Sequence, residues 1–151
     1  MVTLTVSDTR TEADDTSGQT LRSLLESAGF ALDAHAIVRD DIEAIRGAVR
    51  AAIERGDVDA VIATGGTGIA PRDQTFEAVA PLLDKTLDGF GEAFRRLSWD
   101  EIGPRSILSR ALAGTSGRAV VIALPGSTAA VRLAVTKIIA PVLPHAVALL
   151  R

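Results

Sequence analysis

The sequence contains no cysteine and few aromatic residues. Without cysteine, the chain has no disulfide, no catalytic thiol and no Cys-based zinc site. Aromatic residues make up only 3% of the chain, so valine, isoleucine, leucine and alanine must fill the core. With 47% hydrophobic residues in a length of 151, the chain can bury a core of its own, and we expect a single domain over residues 1–151.

The sequence also lacks a cluster of basic residues, and its formal net charge is -3. This charge pattern excludes the electrostatic footprint of a protein that binds DNA or RNA irrespective of sequence. The N-terminus lacks the basic start of a signal peptide, and the apolar stretches are shorter than a membrane span. We therefore expect a cytoplasmic protein with neither nucleic acid nor membrane as a partner.

Strand-like and helical patterns alternate along the chain. We predict core strands at Val2–Val6, residues 30–38, residues 58–63 and Ala119–Leu124. Helical periodicity is predicted through residues 21–28, 42–53, 75–83, 89–101, 131–139 and 141–150. Thr16 and Gln19 fit a capping box for the first helix, and residues 102–117 show no assignable pattern. This order predicts a three-layer α/β/α fold with a mostly parallel central sheet.

The most informative motif follows directly on a buried apolar strand. It consists of Thr64, Gly65, Gly66, Thr67 and Gly68. A single glycine would indicate only a tight turn with positive φ, but three in four positions favour backbone N–H contacts to a phosphate. The motif matches neither the Rossmann fingerprint nor the Walker lysine motif, which argues against a dinucleotide oxidoreductase or a P-loop ATPase.

Asp73 and Arg72 follow this loop shortly before a predicted helix. Asp73 either caps that helix or holds a divalent cation beside a phosphate, and the neighbouring glycines favour the second role. Asp40 lies between the second strand and the second helix, where its spacing to Glu43 resembles a capping pair. Spacing alone therefore favours a structural role for Asp40.

Three loops are predicted to meet at the C-terminal edge of the sheet, where ligands bind in such folds. These loops are residues 7–17, 65–74 and 125–127. The first two carry acidic residues, and the last two carry glycines. Ser127 also fits an N-cap. In contrast, His35 and His145 lack a second ligand at helical spacing, so we expect no histidine metal site.

Five short motifs stand out along the chain: Thr64-Gly65-Gly66-Thr67-Gly68, Pro71-Arg72-Asp73, Phe90-Gly91-Glu92, Ser109-Arg110 and Leu124-Pro125-Gly126-Ser127. Together they resemble the MoaB/MogA family of molybdenum cofactor biosynthesis proteins. The resemblance covers nearly the whole chain. Asp14-Asp15-Thr16-Ser17-Gly18, Leu97-Ser98 and Glu101-Ile102-Gly103 are similar to the MoaB branch.

The resemblance implies that the protein binds molybdopterin, a dithiolene-bearing pterin with a terminal phosphate. Active members of the family use Mg-ATP to transfer AMP onto that phosphate and release pyrophosphate. They need two aspartates, which Asp40 and Asp73 match, and we assign both to catalysis and to Mg²⁺. The family also implies a homo-oligomer, either a trimer or a dimer of trimers.

The same resemblance suggests which residues bind the substrates. Gly65, Gly66 and Gly68 would present N–H groups to phosphate, and Thr64, Thr67 and Arg72 belong to the same loop. Pro125, Gly126 and Ser127 would line the nucleotide or pterin side. Glu92, Ser109 and Arg110 are candidates for contacts to the pterin or its phosphate.

Two other functions remain open at this point. The chain could be a non-catalytic molybdopterin-binding or scaffold protein of the same pathway. It could also share its domain with relatives that insert molybdate or deamidate nicotinamide nucleotides. Those relatives are usually longer, multidomain chains, and this chain has no room for a further domain.

Overall fold

A mixed six-stranded sheet forms the centre of the molecule in the computed structural model, which describes all residues 1–151. The strands are β1 (Val2–Val6), β2 (Ala34–Val38), β3 (Ala60–Thr64), β4 (Lys85–Thr86), β5 (Leu112–Ser116) and β6 (Ala119–Leu124). Their spatial order is β2-β1-β3-β6-β5-β4. Strands β1, β2, β3 and β6 run parallel, whereas β5 is antiparallel to both of its neighbours. This confirms the predicted mostly parallel sheet.

Helices cover both faces of the sheet. They are α1 (Thr16–Ser27), α2 (Ile42–Glu54), α3 (Thr75–Val79), α4 (Asp88–Ile102), α5 (Thr128–Ala134) and α6 (Ala140–Leu149). One core cluster joins α1, α4, α5 and α6 to the sheet, and a second joins α2 and α3 to its other face. Successive residues of β3 alternate between the clusters, since Ile62 lies in the first and Val61 in the second. The predicted three-layer fold is therefore confirmed.

The N-terminus of α1 differs from the predicted capping box at Thr16 and Gln19. Asp15 is the N-cap, and its Oδ1 accepts the Gly18 N–H at 2.9 Å. Its carboxylate is fully buried and also accepts the Thr5 hydroxyl at 2.7 Å and lies 3.2 Å from His35 Nε2. Burial raises the pKa of Asp15, but the bonds from Thr5, Gly18 and His35 outweigh burial and lower it overall. The predicted capping box is wrong because Thr16 is already inside the helix: the Gln19 N–H donates to the Asp15 carbonyl at 2.9 Å, and the Gln19 side chain donates to the Glu12 carbonyl at 2.9 Å.

Residues 102–117, which showed no pattern, form a short 3-10 segment and a strand. The segment spans Gly103–Leu108, and β5 then pairs with β6 around a turn at Gly117, whose φ is 57°. Strand β5 (LAGTS) carries few β-branched residues, so its pairing with β6 determines its conformation. The second strand also begins later than predicted, at Ala34.

The two predicted C-terminal helices form one continuous helix, Thr128–Leu149. A π-helical turn, Val135–Ile139, links α5 to α6. Pro141 and Pro144 lie inside this continuous helix, where neither has an N–H to donate to the preceding turn. By length and composition alone this helix could cross a membrane, which corrects our expectation that every apolar stretch is too short. Its buried side chains, including Val131 and Leu143, pack into the first core cluster, as those of a core helix do.

Candidate functional site

Three loops meet at the C-terminal edge of the parallel strands. A Cβ on Gly65 would lie 2.3 Å from the Val6 carbonyl oxygen, and one on Gly126 would lie 3.1 Å from Gly65 Cα. The Gly65 N–H donates to the Leu124 carbonyl at 2.9 Å. The loops after β1, β3 and β6 therefore touch through backbone at positions where a larger side chain does not fit.

The glycines after β3 leave space for two carboxylates. Gly65 and Gly66 have positive φ values of 109° and 63°, so their turn alone requires glycine. In addition, a Cβ on Gly66 would lie 2.8 Å from Asp40 Oδ1, and one on Gly68 would lie 2.6 Å from Asp73 Oδ2. The loop after β3, residues 65–74, is called the glycine loop. Asp40 from another segment and Asp73 from within this loop thus both approach its glycines.

Asp40 does not cap α2. Asp41 is the N-cap and accepts the Ala44 N–H at 2.9 Å, so the predicted Asp40–Glu43 capping pair is wrong. Asp40 Oδ1 instead accepts the Gln74 N–H at 3.0 Å. Burial raises the pKa of Asp40, and the charges of Asp73 and Asp8 raise it further. The Asp40 carboxyl therefore lies among neighbouring negative charges that favour its neutral form.

Asp73 does not cap α3 either. The N-cap position belongs to Gln74, which makes no side-chain cap bond, and Asp73 Oδ2 accepts the Ala70 N–H within its own turn at 2.8 Å. No group of three or more acidic, histidine or cysteine side chains is arranged to hold a metal ion. Two carboxylates suffice for Mg²⁺, which usually takes its other ligands from water and substrate phosphates.

The glycine loop is anchored at its ends and free in the middle. The Thr75 hydroxyl donates to the Gly65 carbonyl at 2.7 Å, and the Thr64 hydroxyl donates to the Pro125 carbonyl at 3.0 Å. The N–H groups of residues 66–68 donate to no acceptor in the protein, whereas that of Gly65 is bonded to Leu124. Three consecutive free donors suit a phosphate. Our expectation that the Gly65 N–H also faces phosphate is wrong, because Leu124 already occupies it.

A cavity of about 250 Å³ lies beside this loop. The predicted residues Thr67, Gly68, Ser109, Pro125 and Ser127 line it, together with Phe94, Ser98, Glu101, Ser106 and Leu133. Thr67 Oγ1 and Ser106 Oγ are buried and have no hydrogen-bond partner. Each orphaned hydroxyl is available to a polar group of a ligand. Sequence analysis missed Ser106, which lies in the unassigned stretch, and no local pattern pointed to it.

Ser127 has the predicted N-cap role as well. Its hydroxyl oxygen accepts the Ala130 N–H at 3.2 Å at the start of α5.

Arg72 is exposed, and its charge acts to lower the pKa of Asp40 against the larger effect of burial. Glu92 lines a second cavity of about 490 Å³ between α4 and β5, together with the predicted residues Ser109 and Arg110. Ser109 lines both cavities.

Arg110 is engaged within the protein. Its Nε donates to the Gly68 carbonyl at 2.8 Å, and its Nη2 donates to the Asp73 carbonyl at 3.2 Å. The guanidinium also pairs with Glu77 and lies over the Phe76 ring at 5.2 Å. This arrangement does not favour the predicted contact of Arg110 with substrate. Gln74, Thr75 and Glu77 join the site although no sequence pattern indicated them.

Comparison with known proteins confirms the resemblance drawn from the motifs. A family model described as a probable molybdopterin binding domain matches residues 2–145. The chain is 53% identical over 143 residues to molybdenum cofactor biosynthesis protein B of Bacillus cereus, and the match covers 94% of this chain and 85% of that protein.

Solved structures agree with this relationship. A crystal structure of molybdenum cofactor biosynthesis protein B has a TM-score of 0.95 and 52% identity, covering 98% of this chain and 92% of the other. The tungsten cofactor synthesizing protein MoaB from Pyrococcus furiosus has a TM-score of 0.88 and 38% identity, covering 99% and 95% of the two chains. The chain therefore belongs to the MoaB/MogA family of molybdopterin-binding domains, in its molybdenum cofactor biosynthesis protein B branch.

Proposed function

We propose that this protein adenylylates molybdopterin, using Mg-ATP and releasing pyrophosphate. Membership of the family places the chain in molybdenum cofactor biosynthesis. The proposal for the reaction rests on one observation, the approach of Asp40 and Asp73 to a single glycine loop with free N–H groups. Such an arrangement suits a polyphosphate and a divalent cation bound side by side.

The reaction joins two anions, so charge and orientation are its main obstacles. An oxygen of the molybdopterin phosphate attacks the α-phosphorus of ATP, the bond from that phosphorus to the bridging oxygen breaks, and pyrophosphate leaves. The attacking oxygen is already anionic and needs no strong base. The residues must therefore hold both phosphates in line and offset their repulsion.

The residues present fit this task. The free N–H groups of residues 66–68 would take phosphate oxygens, while Asp40 and Asp73 would hold Mg²⁺ directly or through water. When bound, Mg²⁺ neutralises charge on the transferred group. The orphaned hydroxyls of Thr67 and Ser106 would hydrogen-bond polar atoms of the pterin in the 250 Å³ cavity.

The deciding experiment measures pyrophosphate release from Mg-ATP in the presence of purified molybdopterin. We expect release that requires both substrates, together with formation of an AMP-molybdopterin product. Binding of molybdopterin without release would contradict the catalytic proposal and favour the non-catalytic binding or scaffold protein.

We also propose that the protein assembles into a trimer or a dimer of trimers. An apolar cavity of about 380 Å³ between α4 and α6 is lined by Leu87, Phe90 and Val142. Leu87 is 40% exposed and Val142 is 53% exposed, so a second copy would remove apolar surface from water. Sedimentation equilibrium tests this, and a monomer at micromolar concentration would contradict it.

A further inference from the structure

We propose that Arg110 is a positioning residue which, clamped by Glu77, fixes the peptide planes of the glycine loop. This inference rests on the proposed role of that loop in binding phosphate. It assigns Arg110 to the loop itself rather than to the substrate.

The contacts of Arg110 span the loop from one end to the other. Its backbone N–H donates to the Thr67 carbonyl at 2.9 Å, and its Nε donates to the Gly68 carbonyl at 2.8 Å. Its Nη2 reaches the Asp73 carbonyl at 3.2 Å. One residue therefore holds three carbonyls of a segment that has neither helix nor strand structure.

Glu77 of α3 holds the guanidinium in place. Its Oε1 pairs with Nη1 of Arg110, and its Oε2 accepts from Nη2 at 3.2 Å. This two-point pairing fixes the plane of the guanidinium, and the Phe76 ring packs against it at 5.2 Å. Four of the five guanidinium N–H groups donate to protein atoms, so only the second N–H of Nη1 is left for a contact with substrate.

The clamp also determines the direction of the N–H groups. In a trans peptide the C=O and the following N–H point in opposite directions. The backbone N–H of Arg110 holds the Thr67 carbonyl and so turns the free N–H of Gly68 away from Arg110, while the guanidinium holds the carbonyl of Gly68 itself. In the same way, the bond to the Asp73 carbonyl orients the Gln74 N–H, which donates to Asp40 at 3.0 Å. The guanidinium thereby acts at Gly68, whose N–H is a proposed phosphate donor, and at the peptide that bonds to Asp40.

Two substitutions test this role kinetically. Arg110→Lys keeps the charge but loses the planar fork, and Glu77→Gln keeps the size but loses the ion pair. Each should lower kcat/KM for Mg-ATP by about tenfold or more. This loss corresponds to about 1.4 kcal/mol or more of transition-state stabilisation. The KM for molybdopterin should stay within about threefold of that of the wild type. The double variant should be little worse than Arg110→Lys alone, because both changes break the same pairing.

Hydrogen exchange of the ligand-free protein provides a readout that needs no activity. The hydrogen-bonded amides of the loop, those of Ala70, Asp73 and above all Gln74, should exchange faster in both variants. Arg55→Lys is the matched control, since Arg55 pairs with Asp33 and Asp57 away from this loop and should leave rates and exchange unchanged.

Each outcome decides between the two proposals. If hydrogen exchange of the loop amides is unchanged in Arg110→Lys and in Glu77→Gln, the proposed positioning role of Arg110 is wrong. A raised KM for molybdopterin with unchanged exchange would also overturn it and would place Arg110 on the substrate. If the wild type transfers no AMP but the loop exchanges faster in both variants, the proposed function fails while the clamp is supported.

Discussion

At the scale of single residues, neighbours in sequence have opposite tasks in this site. Asp40 and Asp41 are adjacent acids before the same helix, yet Asp41 caps it and Asp40 turns to the glycine loop. The Asp40 side chain contacts Gln74, which lies 34 positions further along the chain. Spacing to Glu43 alone pointed to the wrong acid as the helix cap, and the catalytic role that the family resemblance implies for Asp40 stays a prediction.

Asp73→Asn should reduce AMP transfer by at least about two orders of magnitude, the scale of losing one electrostatic stabiliser. The amide can keep the short turn bond to Ala70, so the fold and pterin binding should persist. Steady-state pyrophosphate release measures the effect, with Asp100→Asn on the exposed side of α4 as the control. A variant that transfers AMP at the wild-type rate would remove Asp73 from the mechanism.

The Asp40 carboxyl should titrate at a higher pH than an ordinary aspartate. Burial and the charges of Asp73 and Asp8 favour its neutral form, so its pKa lies above 3.8. Carboxyl chemical shifts in the Mg²⁺-free protein should show this midpoint, and Asp73→Asn should lower it by removing one negative charge. Mg²⁺ binding should weaken as the pH falls through that midpoint, because a protonated Asp40 is a poor ligand. A midpoint at or below 3.8 would contradict the statement that burial and the neighbouring carboxylates raise the pKa of Asp40.

At the scale of elements, the first turn of α1 forms part of the buried core. Gly18 is buried there, and a Cβ would lie 2.0 Å from Asp15 Oδ2 and 2.5 Å from Thr5 Oγ1. Those atoms belong to a buried network that ties α1 to β1 and, through His35, to β2. Packing against this network therefore requires glycine at position 18, although glycine is unfavourable within a helix.

Gly18→Ala should destabilise the protein by about 1–3 kcal/mol, the usual cost of forcing atoms into a filled core. Gly47→Ala is the matched control, because Gly47 lies in α2 with nothing within 4 Å of its added Cβ. That control should gain about 0.5–1 kcal/mol from better helix propensity. Denaturant unfolding measures both, and equal effects of the two substitutions would refute the packing explanation.

Elements differed in how far local pattern could predict them. Strands β1, β3 and β6 are buried along their whole length, and apolar runs located β3 and β6, whereas β1 alternates apolar residues with Thr3 and Thr5. Strand β4 has two residues, and β5 has the sequence LAGTS, so neither carries a periodic signal. Both depend on pairing with a neighbour already in the sheet.

At the scale of the whole molecule, the strand order brings the site together. Parallel strands β1, β2, β3 and β6 end at the same edge, so the segments following them meet there. The site therefore combines Asp40, the glycine loop and Pro125, which are distant in sequence. A ligand that contacts several of these segments should stabilise the entire domain.

Mg-ATP should raise the melting temperature. A ligand at 100 times its dissociation constant adds about 2.7 kcal/mol to the stability of the folded state. For a domain of this size that corresponds to a rise of about 5–10 °C. Differential scanning fluorimetry measures it, with ATP plus a chelator as the control, and Asp40→Asn should show a smaller rise. If wild type and Asp40→Asn shift equally, Asp40 does not contribute to binding of the Mg-ATP complex.

The sequence by itself determined the layered α/β fold, the position of the glycine loop and the family. These are carried by local apolar patterns and by short motifs, which are complete within a few residues. Only the tertiary structure decided which side chains face the loop. Asp40 approaches Gly66, Arg110 holds the Gly68 and Asp73 carbonyls, and Ser106, whose hydroxyl has no partner in the protein, lines the cavity. Such contacts depend on distances between residues far apart in the chain, which no local pattern encodes.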